Sequence, residues 1–154
     1  MRRSDREISD FSEIVALLAR CDVVRIGMRG KDYPYVVPVS FGYEVCGESL
    51  TLYFHGAMQG KKHDLLAEDE KVCVEADIFH NYAGTGHGVT AEYESVIGFG
   101  TARAVEGEEA VRGIRLLLKH CGFAEDSAES CIAMGITRVY KIELESLTGK
   151  RRRL

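Results

Sequence analysis

The 154-residue sequence predicts a mainly antiparallel β fold: about six strands closed, or nearly closed, into a barrel with helices at its periphery. Three observations carry this. Apolar and polar residues alternate with period two through the middle of the chain, most clearly over 34–45, 50–55 and 71–79. Helical spacing is confined to three or four short stretches, and long helices do not separate the strands one by one, which argues against a doubly wound parallel sheet. No internal repeat or interdomain linker breaks the chain, so residues 1–154 read as one domain long enough to bury a core.

Residues 10–21 carry Phe11, Ile14, Val15, Leu18 and Cys21 at helical spacing, with Ser9 or Asp10 placed to cap the first turn. Residues 22–29 switch to strand character, and Arg29-Gly30-Lys31-Asp32 turns the chain. Over 34–45, Tyr35, Val37, Val39, Phe41 and Tyr43 alternate onto one face. Pro34 and Pro38 cannot donate to a ladder, which puts part of this strand at an edge or against a ligand. Cys46-Gly47-Glu48-Ser49 reads as a hairpin turn, after which Leu50, Leu52 and Phe54 alternate with Thr51, Tyr53 and His55. Gly56-Ala57-Met58-Gln59-Gly60 reads as a loop into a short helix at 61–68. Residues 71–79 form a half-buried strand, with Val72, Val74, Ala76 and Ile78 set against Cys73, Glu75 and Asp77. Gly84, Gly86 and Gly88 mark 80–90 as a mobile loop. A long strand at about 91–105 follows, then a helix near 108–121 with Val111, Ile114, Leu118 and Cys121 on one face. A second short helix at 125–133 and a strand at 137–147, with Tyr140, Ile142 and Leu144 inward, come last. Residues 148–154, with Lys150-Arg151-Arg152-Arg153, are expected to be a basic, solvated tail.

Composition narrows the function classes. A net charge of −4 gives no general attraction to nucleic acid or to membranes, and neither is expected as a partner. No apolar run approaches the ~20 residues that span a bilayer. The charged opening Met1-Arg2-Arg3-Ser4-Asp5-Arg6-Glu7 lacks the apolar segment of a signal peptide, so a cytoplasmic location is expected. Five cysteines (Cys21, Cys46, Cys73, Cys121 and Cys131) at irregular spacing, with no Cys-x-x-Cys pair, form neither a disulfide framework nor a zinc signature. Most are expected as small buried hydrophobes. His80, His87 and Cys73 are irregularly spaced, and no metal is expected. Glu92 and Glu94 share a strand face, which is expected to be solvated rather than an acid/base pair.

The most informative stretch runs from Leu52 to Leu66, where a strand ends in Phe54-His55, a glycine-containing loop follows, and Lys61 and Lys62 open a helix. A helix N-terminus presents unpaired amides and the positive end of the helix dipole. Two lysines there would add charge-assisted hydrogen bonds of roughly 1.5–3 kcal/mol each in a sheltered site, and the dipole ~0.3–1 kcal/mol. A phosphate monoester suits that arrangement; so, on spacing alone, does a surface helix decorated with lysine. The Walker A spacing fails at His63 and at the glycines, and no Gly-x-Gly-x-x-Gly opens a helix after a strand.

Several segments in order resemble the pyridoxamine 5′-phosphate oxidase-like flavoprotein superfamily, and within it the nitroimidazole-reductase (Nim-type) branch. They are the Met1–Ile8 opening, Tyr35-Val36-Val37-Pro38-Val39-Ser40-Phe41-Gly42-Tyr43, Leu52-Tyr53-Phe54-His55-Gly56-Ala57 with Gly60-Lys61-Lys62, Tyr93-Glu94-Ser95-Val96-Ile97-Gly98-Phe99-Gly100, and Val139-Tyr140-Lys141-Ile142-Glu143. The resemblance implies a six-stranded split barrel whose homodimer holds two flavin sites at the subunit interface. It implies flavin mononucleotide (FMN) as cofactor, ahead of FAD, a deazaflavin or haem. Pro38, Val39 and Ser40 would lay backbone along the isoalloxazine edge, Phe54 and His55 would border the ring and ribityl chain, and Lys61 and Lys62 would bind the phosphate. Ser95 would approach from the other subunit, although a plain barrel residue also fits it.

His55 is the candidate catalytic residue, because a histidine beside a flavin's reactive face can hand over a proton near neutral pH; a hydrogen-bonded structural histidine is the competing reading. The implied activity is reduction of a small acceptor, for which the Nim-type resemblance suggests a nitroaromatic, with NADH, NADPH or another reductant as electron donor. The competing class is a flavin- or haem-binding storage or sensor protein. Pyridoxamine phosphate oxidase activity itself is disfavoured, since Arg151-Arg152-Arg153-Leu154 does not match that enzyme's substrate-binding end.

Overall fold

The computed structural model describes residues 3–124 and 136–154. After a short 3₁₀ turn, the elements run β1 (Glu7–Ile8), α1 (Phe11–Leu18), β2 (Val24–Met28), β3 (Tyr35–Val39), β4 (Gly42–Cys46), β5 (Ser49–Ala57), α2 (Lys61–Glu68), β6 (Lys71–Thr85), β7 (Gly88–Val105), α3 (Gly107–His120) and β8 (Thr137–Arg152). All strand pairs are antiparallel, in the order β3-β2-β6-β7-β8-β5-β4, with β1 added to β8.

This is the mainly-β, split-barrel architecture with peripheral helices that the alternation predicts. The described residues form eight strands rather than six. β1 is a two-residue addition, and the single strand expected over 34–45 breaks at Ser40-Phe41 into β3 and β4. That break makes the barrel. β3 and β4 are the two ends of the sheet path, yet only two residues join them, and three Cα–Cα steps reach at most ~11 Å. The sheet must therefore curl until its edges nearly meet. Phe41, fully buried, fills the gap with its ring 4.3 Å from that of His120 on α3. Pro38 lies on edge strand β3, where its missing N–H costs no ladder bond.

The barrel interior collects Val24, Ile26 and Met28 of β2, Leu50, Leu52 and Phe54 of β5, Val72, Val74 and Ala76 of β6, and Tyr140 and Ile142 of β8. Tyr35, Val37 and Val39 pack against this core from one face of β3. Asp10 caps α1 as expected, its side chain accepting from the amides of Ser12 (2.7 Å) and Glu13 (3.1 Å). Leu65 and Leu66 of α2 are buried in the same core. α3 covers the outer face of β4, β5 and β8, where Val105, Ala110, Ile114 and Val139 form a second apolar cluster. It lies so close to Gly42 that a Cβ there would overlap the Leu116 and Leu117 backbone.

Three expectations are corrected. Residues 80–90 are not a loop: β6 and β7 pair with each other through Thr85 and Gly88, and only Gly86-His87 turns. The glycines signal flexibility, but a hairpin ladder is built from backbone groups that glycine also has. Residues 148–152 are not a free tail: β8 pairs with β7 through Arg152. Cys21 is buried and Cys73 half-buried, whereas Cys46 and Cys121 are exposed. The helix expected at 125–133, and Cys131, lie outside the described residues. Among the described residues no helix is long and apolar enough to cross a membrane.

Candidate functional site

The junction of β5 and α2 brings together four of the eight sequence-predicted residues, Phe54, His55, Lys61 and Lys62. β5 alternates so that Phe54 points inward, where its ring stacks on Tyr140 (5.1 Å, 8°), while His55 takes the opposite face beside its cross-strand partner Val139 and is exposed. Phe54 is 1 % exposed, backbone included, so in the single chain it is closed to a ligand and serves the core. Gly56 then turns its bare Cα toward the side chains of α2. A Cβ on Gly56 would overlap Cε and Nζ of Lys62 and stand 3.5 Å from Nε2 of His63.

Gly60, at φ 139°, caps α2, and its carbonyl accepts from the amides of His63 and Asp64, leaving the Lys61 and Lys62 amides at the open end of the helix. Lys61 Nζ sits 5.0 Å from the Tyr35 ring centroid, which links the helix start to edge strand β3. Lys62 Nζ lies 6.0 Å from the Phe54 ring, and among the described residues it makes no ion pair or hydrogen bond. Burial lowers the Lys62 pKa. Atoms crowding one side of His55, and secondarily the Lys62 charge, push the His55 pKa below the usual histidine value. Sequence reasoning passed over His63. Its Nδ1 is 2.9 Å from the Tyr140 hydroxyl, while Nε2 is buried without a hydrogen-bond partner. The signal available was its three-residue spacing from Leu66, which puts it on the buried face of α2.

Pro38 and Val39 follow Tyr35 along β3, and Ser40 begins the link to β4. The sheet order puts Ser95 of β7 three strands away from β3, ~14 Å at normal strand spacing. Within one chain it therefore does not join the cluster. Ser95 is half-buried on the outer face of β7, two residues from Ile97, which is 40 % exposed, and four from Phe99, which is 56 % exposed. The register aligns Phe99, Cys73, Gly27 and Val36 in one row across β7, β6, β2 and β3, and Ile97, Glu75, Arg25 and Pro38 in the next.

Of two clefts in the described residues, one lies away from this region and the other meets it only at Lys61. One of about 670 Å³ lies between α1 and β8, lined by Ser9, Phe11 and Leu144 among others. One of about 570 Å³ lies beside the β2–β3 turn and includes Lys61.

Glu94 corrects a further expectation. It is 1 % exposed rather than solvated, and accepts from Arg20 (2.8 Å), Arg151 (2.7 Å), Arg153 (2.9 Å) and His80 (3.0 Å). Desolvation would raise its pKa, but these four donors outweigh it and hold the carboxyl far below its usual range. Glu92 stays near the surface and accepts from the Leu154 amide. His80 is thereby committed to Glu94, while His87 sits in the hairpin turn.

The pyridoxamine 5′-phosphate oxidase family profile matches residues 10–151, nearly the whole chain and every element from α1 to β8. The chain belongs to this family. No curated protein sequence matches it significantly. Among solved structures, this family member is similar to a candidate 5-nitroimidazole antibiotic-resistance protein from Bacteroides thetaiotaomicron (TM-score 0.75, 24% identity, covering 94% of this chain and 85% of that one). It is also similar to the flavocytochrome Anf3 from Azotobacter vinelandii (TM-score 0.78, 19% identity, 100% and 72% covered). A third similar structure is the FAD- and haem-binding protein from Mycobacterium smegmatis (TM-score 0.77, 18% identity, 97% and 74% covered). At these identities the likeness bears on the fold.

Proposed function

We propose that this family member is an FMN-dependent oxidoreductase of the Nim-type branch, acting on a small nitroaromatic acceptor, with its flavin at a homodimer interface. The observation that carries the reading is the convergence at the start of α2. A half-buried Lys62 ammonium, the Lys61 ammonium, free helix amides and the bare Gly56 Cα meet where, among the described residues, neither lysine makes an ion pair. Those residues fit a phosphomonoester. Edge strand β3 leads away from Lys61 and leaves alternate backbone groups unpaired along its outer side, which suits the alternating donors and acceptors of an isoalloxazine edge near Pro38, Val39 and Ser40.

The second subunit is assigned to the outer face of β3-β2-β6-β7. Val36, Ile97 and Phe99 are exposed there, and α1 and α3 pack elsewhere. That placement lets Ser95 of one subunit reach the site of the other. When bound, flavin supplies two-electron redox chemistry between a nicotinamide reductant and the acceptor. The chain's own part is to hold the phosphate with Lys61 and Lys62, shape the ring edge with β3 backbone, and offer a proton from His55 on the exposed face of β5.

A second reading, a flavin or haem carrier without turnover, is favoured by the two similar structures named for flavin and haem together. The absorbance spectrum of the purified protein separates the classes. Flavin bands that bleach anaerobically with NADH or NADPH and return on adding a nitroaromatic support the reductase; a Soret band, or flavin that does not bleach, supports the carrier.

A further inference from the structure

Resting on the flavin reading above, we propose that His63 is a phosphate ligand of that site: its Nε2 and the Lys62 ammonium together take the cofactor's phosphomonoester over the bare Cα of Gly56.

The ring is fixed before any ligand arrives. His63 is 5 % exposed, stacks on Tyr140 at 5.5 Å and 25°, and meets the Tyr140 hydroxyl at Nδ1, 2.9 Å away. The contact leaves the tautomer open; in the one that serves an anion, the phenol donates to Nδ1 and the ring proton on Nε2 faces the Gly56 side. That Nε2 is buried without a hydrogen-bond partner, an arrangement folded proteins rarely leave standing. The Ala57 backbone is near enough to favour the charged ring, yet no hydrogen bond of normal geometry joins them. The point where a Gly56 Cβ would stand is 3.5 Å from Nε2 and is taken by Cε and Nζ of Lys62, so two nitrogens border one small space that no side chain of β5 fills and that the flexible end of Lys62 vacates for an oxyanion. Neither has an acceptor there, and an oxyanion supplies what both lack.

The charges facing the ring set its protonation. Lys62 on α2 and Arg138 on β8 disfavour the imidazolium, and Asp64 favours it; the Tyr140 hydroxyl on β8 can reverse its role from donor to acceptor. Burial and these cations keep the ring neutral without a ligand. A phosphate dianion reverses that balance, so FMN binding draws a proton onto His63 and riboflavin binding does not.

The test uses the full chain stripped of flavin, titrated calorimetrically near pH 7 with FMN and with riboflavin in buffers of different ionisation enthalpy. His63→Phe is expected to weaken FMN about tenfold or more, the loss of one hydrogen bond to a charged group, and to leave riboflavin within about twofold. His63→Gln, which can place an amide near the Nε2 position, is expected to recover most of the FMN affinity without proton uptake. Nitrogen-15 shifts of the His63 ring in the unmodified protein give a readout independent of folding in the variants, and are expected to report imidazolium with FMN and neutral ring with riboflavin. Equal weakening of both ligands by His63→Phe, or identical ring shifts in the two complexes, overturns the proposal and leaves the flavin site intact. An unmodified chain that binds neither ligand overturns the flavin reading itself.

Discussion

Replacing Glu94 by glutamine should destabilise the fold more than any other conservative change in a carboxylate outside the candidate site. Glu94 takes four hydrogen bonds, three from arginines, and ties β7 to the turn after α1 through Arg20 and to the end of β8 through Arg151 and Arg153. A hydrogen bond to a charged group contributes ~1.5–3 kcal/mol. The arginines are 49%, 38% and 55% exposed and would regain water, so the sum must be discounted. A net loss of ~2–4 kcal/mol remains, since one carbonyl oxygen still accepts while the new amide group faces cationic donors. For a chain of this length that lowers Tm by ~5–15 °C.

The pH dependence fixes the sign. The folded carboxyl has its pKa depressed, so its contribution is fully present above the unfolded value of ~4.3 and is lost as pH falls through the folded value. Chemical denaturation of both proteins from pH 7 to pH 3 should show the gap widest at neutral pH and narrowing below about 4.3. A gap that is absent at pH 7, or that stays constant down to pH 3, would refute the reasoning.

Gly42→Ala should cost ~1–3 kcal/mol or more, read by thermal denaturation, because its Cβ meets helix backbone that cannot rotate away. Phe99→Arg puts a charge on the proposed subunit face and should weaken dimerisation about tenfold or more by analytical ultracentrifugation; an unchanged dimer places the interface elsewhere. His55→Ala should keep most of the flavin yet slow oxidation of the reduced enzyme by a nitroaromatic by ~10²–10⁴-fold per bound flavin. Because the His55 pKa is lowered, the proton it offers becomes more available as pH falls, and the wild-type rate of that step should rise toward acid pH. An unchanged single-turnover rate per flavin in the variant would leave His55 as a wall of the pocket.

Much of the fold was legible because burial enforces period-two alternation. β2, β5 and β6 carry it in residues 24–28, 50–54 and 72–76, and Pro38 marks β3 as an edge. Legibility failed where contacts join distant residues. Glu94 meets Arg20, Arg151 and Arg153 across sequence separations of 74, 57 and 59, so a residue that looks solvated in its own strand is a buried carboxylate ringed by partly exposed cations. The same pairing turns an apparent basic tail into the end of β8. The 80–90 hairpin was misread because glycine composition speaks to side chains, whereas the β6–β7 ladder is backbone. At the site, Lys61 and Lys62 could be found from their place at a helix start. His63 could not be interpreted from sequence, since its importance lies in which ring nitrogen is left without a partner.

The central claim is that the start of α2 holds the phosphate of FMN, and ligand discrimination tests it most directly. FMN and riboflavin share every group except the phosphate. Fluorescence titration of the stripped protein should give tighter binding of FMN. In Lys61→Ala/Lys62→Ala that preference should collapse by about two orders of magnitude, as expected for two charge-assisted contacts, while riboflavin affinity stays nearly constant. Equal weakening of both ligands by the double substitution, or no preference for FMN in the unmodified chain, would contradict the account.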